Sequence, residues 1–321
     1  MQPVGQTTVQ LAEELAREPA ITLRVKTEDL LLVALGVREC ALATIPRDLP
    51  EAEVLGREVD QDFRKRMEGS VGLMGRLRDR VLRFAAGDPL TFKHHVLTEV
   101  FDRRLREFPP YTALRGWLLR LGLDCYETAI RPTIREMYVY RDPEVGERIS
   151  DLVAIRRQLR TRAWREYRAG MAAERLIFPE QMDAEFLRES GKILGYPSCC
   201  VQRYIADVEG AIGAEVRASQ QLAELSPEFE AWAYFASAFV PCEPGCEAAA
   251  AIGRRAHAAL AKLGEGWASA YRQVLRDNMR LMREYPRLIS EHEERLRLRA
   301  QTENWQSQPS GEAGPGEEVK S

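Results

Sequence analysis

Apolar residues recur three or four positions apart along most of this chain, and strict alternation is scarce. That spacing predicts a mainly α protein, bundle-like, with at most a small N-terminal sheet. An amphipathic helix is expected over 8–18. Ile21–Val25 alternates and reads as a strand, and Val37–Ile45 is a second strand candidate. Thr27 is suited to cap a helix ending at Leu35, with Gly36 just past its end. From Glu58 to Phe84 the pattern is helical and heavily charged. Asp88-Pro89 has the residue types of a helix start, and Leu90, Leu97, Phe101, Leu105 and Phe108 line one face before Pro109-Pro110 stops the run. Helices are expected near 111–122 and 143–170, with Arg135–Arg141 extended between them.

A boundary is expected at Phe178-Pro179, separating a helical region, 1–178, from a cysteine-bearing helical domain, 179–300. Residues 301–321 are polar, rich in Gly, Ser, Pro and Glu, and expected to be disordered. Within the second region the pattern gives helices over Gln181–Leu194, from Ser198 onward, over 211–224, over an aromatic stretch 226–239, and through Gly264. Two more cover 267–285 and 287–300.

Composition narrows the class. The 321 residues are 45% hydrophobic and 30% charged, with a formal net charge of −3. No charge excess draws the chain to nucleic acid or anionic lipid. No apolar run approaches the ~20 residues of a membrane span, and the first residues lack a basic segment followed by an apolar one. The expectation is a cytoplasmic protein without a membrane partner. Disulfides are rare in that compartment, so its six cysteines read as ligands or reactive thiols.

Four of the six fall into two pairs: Cys199-Cys200 in Gly-Tyr-Pro-Ser-Cys-Cys, and Cys242 with Cys246 in Pro-Cys-Glu-Pro-Gly-Cys. Ser198 is expected to cap the first helix and Pro244 to start the second, placing thiols in first turns, where the partial positive charge of a helix N-terminus favours thiolate. Tyr196 and Arg203 are expected to flank the ligands. Ala249, Ala250 and Gly253 leave a bare surface beside Cys246, for a closely packed helix or a small-molecule substrate. The leading reading is a metal or iron–sulfur site formed by Cys199, Cys200, Cys242 and Cys246. Adjacent ligands strain a single tetrahedral ion and suit a cluster with separate irons, which favours iron–sulfur over zinc. The other readings are a metal-free thiol–disulfide centre with Cys199 attacking, a zinc-stapled interaction module, and plain buried cysteines.

Gly195-Tyr-Pro-Ser-Cys-Cys-Val201 and Phe239-Val-Pro-Cys-Glu-Pro-Gly-Cys246 together resemble an uncharacterised prokaryotic family known as domain of unknown function 483, over about 180–262. The family pattern favours a His before the second Pro-Cys and a Ser after its last Cys. This chain has Phe239-Val240 and Ala248-Ala249 there. The resemblance implies that the four cysteines matter as a set, and supplies no reaction.

The remaining candidates are weaker. His94 shares the Leu97 and Phe101 face and is expected in the core, with His95 toward solvent. His257 lies eleven residues past Cys246, about 16 Å along a helix, too far to share an ion but placed to line a channel. Cys40 reads as core; isolated Cys125 is a candidate to approach the four. Arg156, Arg157, Arg160, Arg162, Arg165 and Arg168, with Trp164 and Tyr167, suggest nucleic acid, but Glu166 dilutes the charge and the chain is Arg-rich throughout, so this is the lesser reading. Gly-x-Gly-x-x-Gly, P-loop and Gly-x-Ser-x-Gly motifs are absent from the sequence.

Overall fold

Helices carry most of the chain in the computed structural model, which describes residues 6–68, 79–80, 89–166, 178–226 and 228–306. After α1 (Gln6–Ala16), Ile21–Val25 is not the expected strand. The chain turns helical at Leu23, continues as a π-helix, Val25–Leu31, and runs into α2 (Leu32–Ala34). Thr27 therefore caps nothing: it lies inside the π-helix, its hydroxyl donating to Leu23 O (3.0 Å) and Arg24 O (3.1 Å). Gly36, at φ 67°, ends the run as its position predicts.

The π-helix is buried on every side, charged residues included. Arg24 reaches Glu28, Asp29 and Asp48 at 3.5, 3.2 and 3.0 Å. Glu28 also accepts the Ser237 N–H (2.9 Å) and Asn278 Nδ2 (2.6 Å). These tertiary partners permit buried charges on a helix that the core surrounds.

The sheet is antiparallel, in the order β1 (Cys40–Ile45), β3 (Ile134–Tyr140), β2 (Asp124–Arg131), with Tyr138 opposite both Leu42 and Tyr126. β1 and β3 match two of the three extended stretches the sequence offered. β2 was not foreseen: most of its residues are half-buried, so it lacks the in–out contrast that marks a strand.

α3 (Ala52–Met67) covers the start of the charged helical stretch; 69–78 and 81–88, and with them Asp88, lie outside the described residues. α4 (Pro89–Glu107) begins at the expected proline. Phe101, Leu105 and Phe108 are buried, whereas His94 is exposed rather than in the core. α5 (Pro109–Arg120) and α6 (Pro143–Arg165) follow, α6 capped by Asp142 accepting the Glu144 N–H at 3.0 Å. After a 3₁₀ turn, Pro179–Met182, come α7 (Ala184–Ile193), α8 (Ser198–Glu209), α9 (Ala214–Ala223), α10 (Glu247–Ala261) and α11 (Glu265–Gln306). The two expected final helices are one, with Pro286 inside it, and it enters the stretch read as a tail; 307–321 lie outside the described residues.

The expected 226–239 helix is absent. Ala233, Tyr234, Phe235 and Ala236 are buried in succession, which a helix with one apolar face does not allow. Instead the segment threads the core, and side chains take its carbonyls: Asn278 Nδ2 donates to Tyr234 O (3.1 Å) and Tyr271 OH to Phe235 O (2.9 Å). The main apolar core joins Leu15, Leu30, Val96 and Phe101 to Phe235, Tyr271 and Leu275, from both sides of Phe178-Pro179.

Burial, with Glu28 and Asp48 adding to it and Arg24 opposing it, raises the Asp29 pKa from 3.8 to about 7. Across that window the folded state holds a proton the unfolded chain has released. The contribution of Asp29 is thus fully present below about 3.8 and lost as pH rises through about 7. Asn does not titrate, so the melting temperature of Asp29→Asn relative to wild type should rise from the acid to the neutral end of the window in parallel thermal melts.

Candidate metal centre

Both cysteine pairs owe their positions to local backbone rules. Gly195, at φ 71°, closes α7, and Tyr196 N–H bonds back to Gly191 O at 2.8 Å. Pro197 then holds the N-cap position in place of Ser198, which becomes the first helical residue without a capping bond. Cys199 and Cys200 consequently lie in the first turn of α8. α10 starts at Glu247 rather than at Pro244, so Cys246 occupies its N-cap, three positions before its expected first-turn place, with its N–H bonded to Glu243 O at 3.1 Å.

The four sulfurs converge. Cys199 Sγ lies 3.9 Å from Cys200 Sγ and 3.8 Å from Cys246 Sγ, and Cys200 Sγ lies 3.6 Å from Cys246 Sγ. With Cys242 included, all four fall within 4.8 Å of one another, a group able to hold a metal ion. Tetrahedral bonds of ~2.3 Å around one zinc separate sulfurs by ~3.8 Å. Cys199 and Cys200 diverge by one helical step yet keep their sulfurs at about such an edge length.

The surroundings favour negative sulfur at one end of the group. The N-termini of α8 and α10 both meet it, and Cys242 N–H donates to Cys200 Sγ at 3.4 Å. Burial pushes the Cys200 thiol up, and pushes Cys242 up to about 11. Burial also acts to raise Cys246, but the Ala249 N–H and the neighbouring thiols outweigh it and leave Cys246 below the ordinary thiol range. Cys200 and Cys246 are buried, Cys242 is half-buried, and Cys199 faces solvent.

One arginine that the sequence did not single out fastens this arrangement. Arg217, buried on α9, donates through Nε to Asp207 Oδ2 (2.8 Å) on the helix carrying Cys199 and Cys200. Its Nη1 reaches Pro241 O (3.1 Å) and Cys242 O (2.8 Å) on the opposite loop. Gln221 Nε2 adds a bond to Cys242 O at 3.3 Å. In so Arg-rich a sequence nothing marked Arg217, although its burial beside Asp207 does.

The other expected residues take these places. Tyr196 packs on Phe239, ring centroids 4.8 Å apart, and its hydroxyl reaches Ala238 O at 3.4 Å. Arg203 pairs with Asp207 at 3.0 Å. Ala249, Ala250 and Gly253 are buried, and turn backbone packs against the bare surface at Gly253: a Cβ there would lie 2.2 Å from Trp232 O. Cys40 is buried in the sheet, as expected. Cys125 stays outside the sulfur group and accepts from Arg115 Nη1 at 2.6 Å. His257 stacks edge-on against Trp232, centroids 5.3 Å apart. Of the basic helix, Arg156 and Arg160 turn inward to Glu136 and Glu180, while Tyr167 and Arg168 lie outside the described residues.

Residues 123–262 match the model of a family described as a protein of unknown function, DUF483. This is the family that the two cysteine motifs resemble. The DUF483 match runs from the start of the β2–β3 hairpin to the end of α10 and takes in all four sulfurs. No curated protein and no solved structure matches the chain. Among the described residues no helix is long and apolar enough to cross a membrane.

Two substitutions test the scaffold. Arg217→Met keeps the stem and removes the bonds to Asp207 and the Cys242 loop; metal affinity, read by chelator competition, should fall about 10–100-fold. Gly253→Ala should displace the Trp232 segment and cost about 1–3 kcal/mol in denaturant unfolding.

Proposed function

We propose that Cys199, Cys200, Cys242 and Cys246 hold a single zinc ion, making this a metal-binding protein whose ion fastens α8, the loop before α10 and α10 together. The observation that carries the reading is the set of sulfur separations: 3.6–3.9 Å among Cys199, Cys200 and Cys246, with Cys242 inside the same 4.8 Å group, which suits four thiolates on one tetrahedral ion. A cubane cluster sets each cysteine on a different iron and needs its sulfurs further apart. Four thiolates around a divalent ion leave a net charge of −2, which the two helix N-termini and the Cys242 N–H offset. The reducing cytoplasm expected from the sequence would keep the thiols available.

The fastening has an evident object. Between Ser226 and Cys246 the described chain has no regular helix or strand, and its far end is tied down by Cys242 and Cys246. A structural ion binds only the folded arrangement, so its binding free energy adds to stability.

A thiol–disulfide centre is the second reading, favoured by the exposure of Cys199 3.8 Å from Cys246 Sγ. Anaerobic purification, elemental analysis and thiol titration separate the two. One zinc per chain, no visible thiolate-to-iron band, and thiols silent until chelator is added are the expected results; Cys200→Ser and Cys246→Ser should each abolish stoichiometric zinc. Iron with acid-labile sulfide would replace the ion by a cluster. Metal-free protein whose thiols react at once would replace it by the redox centre.

A further inference from the structure

A second site is suggested where α1, the π-helix and the α10–α11 junction meet. They surround a cavity of about 480 Å³, within the ~300–1,000 Å³ typical of small-molecule sites. Leu23, Leu263 and Trp267 give it an apolar lining, with Leu263 and Trp267 nearly buried.

Lys26 makes this groove more than a surface hollow. It is 7% exposed and sits in the π-helix, an irregularity often found at functional sites. Its ammonium has three donors, and among the described residues its one hydrogen bond is to a neutral group, Ala16 O, at 3.2 Å. Glu18, the acid whose charge acts on it, is shared with other donors: Oε1 accepts the Ala20 N–H (3.0 Å) and Oε2 accepts Trp117 Nε1 (3.3 Å). A buried cation with one neutral hydrogen-bond partner and a shared acid keeps donors to spare, and an anion in the cavity would take them.

The opposite wall fits the same charge. Gly264, at φ 141°, and Gly266 border the cavity at the start of α11, with open space where their Cβ atoms would be. The Trp267 and Ala268 N–H groups bond to Gly264 O (3.1 and 3.4 Å), which leaves those of Glu265 and Gly266, at the positive end of this long helix, for a ligand. Arg17 adds a cation, and Glu13 on the same lining disfavours a doubly charged ligand.

We propose that this groove binds a small monocarboxylate with a flat apolar body, its carboxylate held by Lys26 and the first turn of α11 and its body lying against Trp267, Leu263 and Leu23. The site is separate from the cysteine centre and stands whatever that centre holds.

The test uses the purified full-length protein with phenylacetate, benzoate and hexanoate at millimolar concentration, each paired with its neutral amide. Calorimetry follows binding, and the Trp267 indole NMR signal, assigned by Trp267→Phe, locates it. Saturable binding of at least one acid that shifts this signal is expected, with its amide about tenfold weaker or worse. Lys26→Met should weaken the acid similarly and leave the amide unchanged. The proposal is overturned if no acid saturates, if acid and amide bind alike, or if Lys26→Met binds the acid as wild type does. The acid–amide comparison needs no variant and decides the matter if Lys26→Met does not fold.

Discussion

The backbone from Tyr234 to Cys242 runs through the interior without a helix or strand to satisfy it, and much of the architecture answers that constraint. A buried carbonyl or N–H left unpaired costs about 1–3 kcal/mol. Here Asn278, Tyr271, Tyr196, Arg217 and Gln221 supply donors to the carbonyls, and Glu28 accepts the Ser237 N–H. These six residues come from the π-helix, the turn before α8, α9 and α11. The segment therefore draws remote parts of the chain onto one path, and that path ends at Cys242.

The sulfur cluster is the terminus of this framework rather than an isolated motif. Arg217 spans the gap between the helix bearing Cys199 and Cys200 and the loop bearing Cys242, while the Trp232 backbone lies against Gly253 on the helix that Cys246 caps. Position, more than any single bond, makes the four thiols a set. Two helix ends and a backbone N–H then bias the same small volume toward negative charge.

Sequence patterning exposed those features whose causes are local. Pro89 and the Asp142-Pro143 pair announce helices because a cap and a fixed φ act within a few residues, and Gly195 with Pro197 marks the bend before the cysteines. The convergence of the two cysteine pairs was legible because both sit at helix starts. What escaped depended on distant partners. Ile21–Val25 looked like a strand because its five residues alternate, and nothing nearby shows that the chain will turn helical at Leu23 so that Arg24 and a distant Asn278 meet the buried Glu28 and Asp29. The 226–239 stretch looked helical because its aromatics fit the period, whereas donors from α11 hold it unwound. β2 hid because most of its side chains stay half-wet, and His94 turned outward although its spacing put it among apolar neighbours.

The Glu28–Ser237 contact bears on modularity. Glu28, Tyr271 and Asn278 all lie outside residues 123–262, the portion shared with DUF483, yet they hold the strand of chain that leads into the cysteines. In this protein the shared portion is not a self-sufficient cassette. Its cysteine-bearing loop borrows its rigidity from flanking sequence, so any chain that keeps the four thiols while changing those flanks must supply an equivalent brace of its own.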